Sequence, residues 1–421
     1  MGKSLTPVGA VAAANAAGTI PAWDGGLTKP PADFKPGGHY PDPYANDRPL
    51  FTITADNVDQ YREHLTPGQV AMLKKYPTYK IVVYPTRRSA SFPKAFYDDT
   101  LSAATHAKLA PGGNSVLNTT SGVPFPIPHD GQEAIWNHLL RYRGDTYGTT
   151  WTEAPVLRNG DYTPARQTFE YDFSYANLAK PPAAREPNRM MNFFELLLSP
   201  PRLAGTLLLI YEPIDQVKEP RRSWLYSPGQ RRVQLAPEFA YDFPAEASDG
   251  MRTYDDFNMF NGAIDRYDWK LIGKQEVYIP YNSYKITGNS IKHSDIIRPG
   301  HLNSEYGRYE LHRVWVVEAQ LKPGVRHIYA KRVFYLDEDS WAAVLTDKYD
   351  AHGQLWRVAE AHSINLYNIP MYYQTVEAHY DLQSGRYDVM GLRNEEPRVY
   401  EPLKRSAADF TPFRLRELGT R

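Results

Sequence analysis

Paired carboxylates are the first residues of this chain whose type and spacing could do chemistry. They occur as Asp98-Asp99, Asp255-Asp256, Asp337-Glu338-Asp339 and Glu395-Glu396. Glycoside hydrolysis needs two carboxyl groups that face each other at a fixed separation, and adjacency in the sequence does not provide that geometry. Three of the four clusters are typical of solvated turns or loops, and Asp337 to Asp339 suits the tip of a hairpin. A carbohydrate-active enzyme is therefore the least favoured function, and no catalytic residue is assigned.

Histidine is the next residue type that could carry chemistry, through metal binding. Among the 12 histidines, His352, His362 and His379 lack the paired spacing that metal ligands show. Exposed or hydrogen-bonded imidazoles are the default interpretation, so we predict no metal site. The sequence also lacks the Gly-x-Ser-x-Gly elbow, the phosphate-binding loop, the dinucleotide-binding Gly-x-Gly-x-x-Gly and His-Glu-x-x-His. We therefore predict a protein that is not an enzyme and needs no cofactor.

Charge and hydropathy exclude two further classes of protein. Lysine and arginine together number 48, as do aspartate and glutamate, and no basic tract exists, so nucleic acid is not an expected partner. The longest apolar run, Leu203 to Ile210, is far shorter than the roughly 20 residues that span a bilayer, which predicts no transmembrane helix. Cysteine is absent, and this excludes disulfides and thiolate metal sites.

Aromatic residues and prolines indicate which elements position these side chains. The content of 31 tyrosines, 8 tryptophans and 35 prolines is typical of a β-rich chain with long irregular connections. Residues 1–50 are too rich in proline and glycine for regular structure. We expect them to form an extended arm packed on the body, because Trp23, Phe34 and Tyr40 would be poor residues to leave in water. A loose tail is the alternative, and residues 51–421 are expected to form one large domain with helical insertions.

Three helices are predicted from capping residues and periodicity. Thr66 and Gln69 form a capping box at the start of the first helix. The second helix follows Asp130 and is expected to end at Gly144. The third covers Met190 to Leu198, which is apolar almost all round, so this helix is buried on several sides or exposed to a hydrophobic ligand.

At least eight strands are predicted, because runs of β-branched and aromatic residues alternate with short turns. The predicted segments are Leu207 to Tyr211, Ser223 to Tyr226, Arg231 to Val233, Arg313 to Leu321, Arg326 to Asp337, Trp341 to Tyr349, Leu355 to Ala361, Val376 to Tyr380 and Tyr387 to Leu392. The four segments between Arg313 and Ala361 form an antiparallel meander. Neither face of these strands is cleanly polar, so both faces are covered or one of them lines a cavity.

Seven segments resemble one family of proteins from Gram-negative bacteria, and the match spans nearly the whole chain. These segments are Leu5-Thr6-Pro7-Val8-Gly9, Gly18-Thr19-Ile20-Pro21-Ala22-Trp23, Gly25-Gly26-Leu27, Gly122-Val123-Pro124-Phe125-Pro126-Ile127-Pro128, Ala134-Ile135-Trp136-Asn137-His138, Arg141-Tyr142-Arg143-Gly144 and Ser199-Pro200-Pro201-Arg202-Leu203-Ala204-Gly205. The family has no characterised function and is often labelled outer-membrane lipoprotein-sorting-like. Its members are periplasmic, which implies that a signal peptide has already been removed from this chain.

The resemblance implies a fold similar to the lipoprotein carriers LolA and LolB. In that fold a mainly β chain forms a strongly curved antiparallel sheet, an open half-barrel with helices on its concave face. Such a cavity shields acyl chains from water, at about 0.8 kcal/mol for each buried methylene group. The present chain is much longer than those carriers and has an amino-terminal arm that they lack.

The leading hypothesis is a periplasmic binding or carrier protein for a lipid, a lipoprotein acyl chain or another hydrophobic molecule in envelope transport. Expected partners are that ligand and, from the family resemblance, an outer-membrane protein or an inner-membrane exporter. A structural adaptor of an envelope transport complex is the alternative. The candidate pocket residues come from strand aromatics and the apolar third helix. They are Trp136, Met190, Phe194, Trp224, Tyr226, Trp315, Tyr329, Phe334, Trp341 and Trp356.

Overall fold

Strands predominate in the computed structural model, which describes residues 2–237 and 239–419. The helices are α1 (Pro67–Lys75), α2 (Lys94–His106), α3 (Gly131–Leu140), α4 (Tyr284–Thr287), α5 (His293–Ile296) and α6 (Pro412–Gly419). The strands are β1 (Phe51–Ile53), β2 (Ile81–Val83), β3 (Lys108–Leu109), β4 (Val116–Leu117), β5 (Thr146–Val156), β6 (Ala165–Asp172), β7 (Arg189–Leu197), β8 (Leu207–Pro213), β9 (Arg222–Ser227), β10 (Arg232–Leu235), β11 (Tyr267–Pro280), β12 (Tyr309–Leu321), β13 (Lys331–Asp337), β14 (Ala343–Tyr349), β15 (Leu355–Asn365), β16 (Tyr372–Asp381), β17 (Tyr387–Leu392) and β18 (Glu401–Pro402). The prediction of a mainly β protein is confirmed.

One sheet of 16 strands dominates the molecule. Its order is β1-β2-β12-β13-β14-β15-β16-β17-β5-β6-β7-β8-β9-β10, with β11 paired to β12 and β18 paired to β5. Neighbouring strands run antiparallel, except for a short parallel contact between β2 and β12. Although β10 and β11 follow each other in the chain, they lie at opposite ends of this sheet, which is not closed into a barrel. The connection between them, residues 236–266, therefore crosses the open side, and we call it the crossing segment.

The predicted meander and hairpin are confirmed. Strands β12, β13, β14 and β15 are successive antiparallel neighbours, and β16 pairs with β17. The second strand of the meander begins at Lys331 and not at Arg326 as predicted. The reason is that His327 and Tyr329 turn toward the crossing segment and bond Asp255 and Asp256, each at 3.0 Å.

The prediction of a third helix over Met190 to Leu198 is wrong, because this segment forms strand β7. It pairs with β6 on one side and with β8 on the other, and both of its faces are covered. A continuous apolar run does not distinguish a buried strand from a buried helix by periodicity. Of the residues that suggested an apolar helix, Met190, Met191 and Phe193 pack in the inner core and Phe194 packs on the outer face.

The other two predicted helices are confirmed. Thr66 and Gln69 close the expected capping box at the start of α1, and the side chain of Asp130 caps α3. Helix α3 ends at Leu140, before Gly144, which lies in the turn that follows. Among the described residues, no helix is long and apolar enough to cross a membrane.

Both faces of the sheet are covered, and different elements cover them. Helix α1 packs on β14 and β15, and α6 packs on β8, β9 and β10, on the face that we call outer. The crossing segment lies on the opposite, inner face, where its 3-10 turn, Tyr254–Met259, contacts β14, β15 and β16. Helix α3 is beside it, because His138 donates a hydrogen bond from Nε2 to the carbonyl oxygen of Phe260 and accepts one at Nδ1 from the backbone N–H of Ala343. The inner face is thus the one that could hold a ligand.

The amino-terminal arm, residues 2–50, contains no helix or strand and lies against the body. Val8 and Ile20 are buried, and the carbonyl oxygen of Val8 accepts a hydrogen bond of 2.9 Å from the Trp341 indole. Arg88 forms an ion pair with Asp339 at 2.7 Å and also donates hydrogen bonds to backbone carbonyls of the arm. These contacts attach the arm beside the inner face.

Candidate ligand-binding site

A row of aromatic side chains covers the inner face of β5 and β6. Trp151 of β5 stacks on Phe169 of β6 at a ring-centroid distance of 4.4 Å, and Phe169 is 5.7 Å from Tyr171. The row continues to Phe173, 5.5 Å beyond Tyr171. Residues two positions apart on a strand point to the same face, which is why these rings form one wall.

The crossing segment places one further ring over this aromatic wall. Phe257 lies 6.4 Å from Tyr171 and 6.3 Å from Phe193 of β7. The next two residues, Asn258 and Met259, have φ values of 52° and 70°, in the left-handed region. Such residues cost about 1–3 kcal/mol each and persist only where surrounding contacts hold them. The turn above the wall is therefore held in place by contacts elsewhere in the crossing segment.

Two ion pairs hold the crossing segment to the sheet. Asp255 pairs with Arg332 at 2.9 Å, and Asp256 pairs with Lys348 at 2.7 Å. All four side chains are buried. Burial lowers the pKa of Lys348 to about 8, and the Asp256 charge opposes that shift. Removal of either partner would leave an uncompensated buried charge, so the pairs fix the segment strongly.

The burial of these aspartates corrects part of the sequence-based interpretation. Asp98 and Glu395 are exposed, as expected for solvated clusters, but Glu396 is buried and pairs with Arg166 at 2.6 Å. The predicted hairpin tip at Asp337 to Asp339 is confirmed, because the turn between β13 and β14 follows Asp337. The prediction of solvation is wrong for Asp255-Asp256 and for Asp337-Glu338-Asp339, all of which are buried. The physical reason is local neutralisation, because each of these two clusters forms ion pairs with lysine or arginine side chains from distant parts of the chain.

A small cavity of about 40 Å³ lies between the aromatic wall and the crossing segment, and we call it the acidic cavity. Glu153, Glu195 and Glu246 line it. Glu153 forms an ion pair with Arg252 at 2.7 Å, whereas Glu195 is 8% exposed and bonded to none of the described residues. Burial raises the pKa of Glu195 well above its usual value and the pKa of Glu246 to about 7. Glu195 therefore holds its proton more tightly than a glutamate exposed to water does.

An open groove of about 810 Å³ adjoins the acidic cavity. The two spaces share Ala245 and Glu246, at the start of the crossing segment. Polar residues such as Asp161 and Arg202 line part of the groove. The apolar part of its lining is formed by Pro155, Leu157, Ala165, Leu197, Pro200, Leu203, Leu225 and Ala247. Ligand pockets usually measure roughly 300–1,000 Å³, so the groove has the size of a binding site.

A second small cavity, also of about 40 Å³, lies on the other side of Trp151 and Phe257, and we call it the arginine cavity. The guanidinium groups of Arg141, Arg143 and Arg393 line it. The groove, the acidic cavity and the arginine cavity thus follow one another along the inner face.

Two glycines place the arginines of the second cavity. Gly144 has a φ of 95°, which lets the chain turn from α3 into β5 directly after Arg143. Gly391 has a φ of 82°, and a Cβ atom there would lie only 1.8 Å from the carbonyl oxygen of Thr375. A glycine at 391 therefore lets β17 approach β16 closely just before Arg393.

One group of buried side chains within the described residues has the spacing of a metal site. His312, Asp337 and Asp339 bring ligand atoms within 4.8 Å of one another. Arg88 already binds both carboxylate oxygens of Asp339, at 2.7 and 2.8 Å. Burial, and next the charge of Asp339, raise the pKa of Asp337 to about 7. The group therefore offers few free charges to a cation.

Three of the ten candidate pocket residues lie on the outer face. Phe194 packs on Phe410 at 5.6 Å, in the cluster under α6. Tyr226 belongs to the same cluster and donates a hydrogen bond to the carbonyl oxygen of Gly419. Trp224 packs at its margin. These side chains are separated from the inner cavities by the sheet.

The other seven candidates lie mainly in the large core of the inner face. Tyr329 donates a hydrogen bond to Asp256, and Phe334 lies 5.5 Å from Phe260 of the crossing segment. Trp315 and Trp341 stack at 6.1 Å, near the arm. The remaining three are Trp136 on α3, Met190 on β7 and Trp356 on β15. Among the described residues, the linings of both cavities and the groove include none of the ten.

Some of the residues that do line these spaces come from β5, β6 and β7, which the sequence analysis did not identify as strands. Strands β5 and β6 carry an aromatic residue at every second or fourth position, for example at Phe169 and Tyr171. That alternation is the usual signal of a strand with one aromatic face and could have revealed the wall. The arginines gave no comparable signal, because Arg393 is far from Arg141 in the sequence.

Comparison with known proteins assigns the chain to a family whose function is unknown. The family model described as "Protein of unknown function (DUF1329)" matches residues 52–416. An uncharacterized protein of Pseudomonas aeruginosa, PA3922, is 51% identical over 424 aligned positions, which cover 100% of this chain and 93% of that protein. The resemblance to an uncharacterised family is therefore confirmed.

Two solved structures are similar at lower levels. One is a domain from Vibrio parahaemolyticus that is provisionally assigned as an outer membrane lipoprotein-sorting protein. It is 15% identical to this chain with a TM-score of 0.46, and the matched region covers 68% of this chain and 98% of the Vibrio chain. The other is the LolA superfamily protein NE2245 from Nitrosomonas europaea. It is 12% identical to this chain with a TM-score of 0.40, and the matched region covers 68% of this chain and 98% of the NE2245 chain.

Proposed function

Since the chain belongs to the DUF1329 family, whose description assigns no activity, we propose from its own geometry that it is a carrier for a lipid or another hydrophobic molecule. The observation that carries this proposal is the groove of about 810 Å³ with several leucines and prolines in its walls. Burial of an acyl chain there would contribute about 0.8 kcal/mol for each methylene group and needs no reacting side chain.

The contents of the inner face support binding and not catalysis. Glu195 and Glu246 approach the arrangement that a glycoside hydrolase needs, since they line one aromatic cavity. That cavity measures only about 40 Å³, which is far below the roughly 300–1,000 Å³ of a pocket that encloses a small-molecule ligand. We therefore propose a protein without enzymatic activity.

The proposed location is the periplasm, and the proposed partners are envelope components. The resemblance described from the sequence motifs implies secretion, and it also implies an outer-membrane protein or an inner-membrane exporter as donor or acceptor of the ligand. The equal numbers of basic and acidic residues give no general attraction for nucleic acid.

A structural adaptor is the second candidate, and one observation favours it. The crossing segment covers much of the inner face and leaves two small spaces of about 40 Å³ each beneath it. An adaptor needs a filled interior. A carrier needs space for its ligand, which requires either that the crossing segment moves or that the groove holds the whole ligand. Lipid binding separates the two candidates.

The test is uptake of a fluorescent fatty acid by delipidated protein, with one groove variant and one matched control. Leu157 lines the groove and is 45% exposed, so Leu157→Glu places a charge on the proposed apolar surface without disturbing the core. Leu101 on α2 is 44% exposed and lies outside the groove, and Leu101→Glu is the control. We expect Leu157→Glu to weaken binding by about tenfold or more, equivalent to about 1.4 kcal/mol, and Leu101→Glu to leave it unchanged.

Two results would contradict the carrier proposal. One is a delipidated wild-type protein that takes up no fatty acid, phospholipid or hydrophobic fluorophore. The other is equal binding by both variants and the wild type, which would mean that the ligand does not occupy the groove. The first result would favour the adaptor, and the second would remove the groove as the observation that carries the proposal.

A further inference from the structure

The arginine cavity concentrates positive charge in the interior of the protein. Arg141, Arg143 and Arg393 line it, and each is at most 7% exposed. None of the three forms an ion pair with a carboxylate of the described residues, although the other buried arginines of the inner face, such as Arg252 and Arg332, do. Three unpaired guanidinium groups at one buried place are costly unless an anion joins them.

The hydrogen bonds of these arginines do not supply the missing charge. Arg393 donates to the Thr149 hydroxyl and to the carbonyl oxygens of Thr375 and Gly391, all of them neutral groups. Arg143 makes one hydrogen bond, to the carbonyl oxygen of Leu139 at 3.2 Å, and its Nε atom has no partner. At least one donor therefore remains free beside the cavity.

The acidic side chain that lines the cavity together with these arginines is already engaged. Glu377 supplies the only carboxyl group among the described residues that line the cavity. It accepts a hydrogen bond of 3.2 Å from the backbone N–H of Met259, and burial raises its pKa to about 7. The cavity consequently has a net positive charge whether or not Glu377 is ionised.

The pKa values of the arginines agree with this imbalance. Burial lowers the pKa of Arg143 to about 10. Burial, and next the positive charge of Arg143, lower the pKa of Arg141 well below its usual value. These shifts mean that the charged arginines are destabilised when the cavity holds no anion.

We propose that the arginine cavity binds an anionic oxygen group, a carboxylate or a phosphate, and that this group is the head of the ligand whose chain occupies the groove. The second half of this inference rests on the proposed carrier function. Guanidinium groups bind carboxylates and phosphates through paired N–H donors, which explains arginine in place of lysine at three positions. A cavity of about 40 Å³ suits a head group and not a chain.

The arrangement of the three spaces fits such an amphipathic ligand. The arginine cavity and the acidic cavity share Trp151 and Phe257, and the acidic cavity shares Glu246 with the groove. Glu195 lies on the way between them, and burial raises its pKa well above the usual value, which weakens its repulsion of an anion. With the head group in the arginine cavity, the first methylene groups of the ligand would cross the acidic cavity beside the aromatic wall, and the rest of the apolar chain would lie in the groove.

The experiment titrates the full-length, delipidated protein with three probes: oleate, oleyl alcohol and inorganic phosphate. Oleate and oleyl alcohol have the same chain and differ in the charge of the head group. A charge-assisted hydrogen bond contributes enough that we expect oleate to bind about 10- to 100-fold more tightly than oleyl alcohol. Isothermal titration calorimetry measures both affinities.

Variants of the cavity assign this preference to the arginines. Arg143→Gln and Arg393→Gln are each expected to reduce oleate affinity to within about threefold of oleyl alcohol, while oleyl alcohol affinity stays unchanged and shows that the fold is intact. Arg143→Lys, which keeps the charge, should restore part of the preference. Arg62→Gln, at a position exposed to solvent and outside the cavity, is the matched control and should bind all probes as the wild type does.

Each outcome separates this inference from the carrier proposal. Equal affinities for oleate and oleyl alcohol, or a preference that survives both glutamine variants, would overturn the inference and leave the carrier. If phosphate binds in a way that depends on Arg143 and neither oleyl probe binds, the cavity is a site for free anions. That result would contradict the carrier proposal. No binding of any probe would contradict both.

Discussion

At the scale of single residues, the inner face combines ionisable groups with almost complete exclusion of water. Glu377 on β16 shows the consequence most clearly, because it is 5% exposed and its pKa is raised to about 7 by burial. Arg141, Arg252 and Lys348 oppose this rise from the neighbouring elements. His379, on the same strand, lies 3.7 Å from the Glu377 carboxylate.

The raised pKa of Glu377 predicts how stability depends on pH. The folded protein holds this proton more tightly than the unfolded chain, whose glutamate has a pKa near 4.5. The stabilisation is therefore complete below about pH 4.5 and is lost as the pH rises toward 7. Glu377→Gln should gain stability relative to the wild type over this range, by about 3 kcal/mol at pH 8.

Urea unfolding at several pH values measures this difference. Glu63→Gln is the control, because Glu63 is largely exposed, and its difference from the wild type should not change with pH. A constant difference between Glu377→Gln and the wild type from pH 4.5 to pH 8 would show that Glu377 is not held protonated by burial.

The roles of individual residues could be predicted from the sequence where those roles depend on residues a few positions away. The capping box of Thr66 and Gln69 and the cap at Asp130 are set by residues three positions apart, and both were predicted. The roles of Asp256 and Arg393 depend on partners from distant strands. A single sequence has no local signal for such contacts, which is why buried acidic clusters were interpreted as solvated.

At the scale of elements, the crossing segment is the part of the molecule on which ligand entry depends. Side chains of the body hold it, including Arg332 to Asp255, Lys348 to Asp256 and Arg357 to the carbonyl oxygen of Met251. Among its described residues, the part between its two ends forms no strand of the large sheet, and only the end residues Ala236 and Arg266 form backbone hydrogen bonds beside the ladder. A segment that is held mainly by side-chain contacts opens at a lower free-energy cost than strands that are paired in the core of a sheet.

Hydrogen exchange tests whether this segment responds to ligand. In delipidated protein, we expect backbone amides of residues 245–261 to exchange faster than those of β13, β14 and β15, since the latter belong to the central ladder. Saturation with oleate should slow exchange in residues 245–261 and leave the three strands unchanged. Unaltered exchange in the crossing segment at saturation would indicate that the ligand does not reach the spaces beneath it.

Elements were predictable from sequence where short turns join neighbouring strands. Strands β12 to β15 were predicted because each hairpin is local in sequence and carries turn residues. Strand β7 was interpreted as a helix because its residues are apolar on both faces. The path of the crossing segment follows from the positions of β10 and β11 at opposite ends of the sheet, and this is a property of the whole topology.

At the scale of the whole molecule, an open sheet of 16 strands is covered on its outer face by helices and on its inner face by the crossing segment and α3. The open groove adjoins two small cavities along that inner face. The composition of the sequence was enough to predict a β-rich chain. The order of the three spaces required the structure, because their linings combine residues from β5 to β17 and from the crossing segment.

Native mass spectrometry tests the carrier proposal most directly. The protein would be purified from a Gram-negative host without detergent, measured intact, then extracted with organic solvent and measured again. The account predicts a mass increment of about one lipid-sized molecule on each chain, which the extraction removes and identifies as an amphiphile with a carboxylate or phosphate head group. A protein that has its bare mass before extraction, and that also takes up no added lipid, would contradict the carrier and leave the adaptor as the better account.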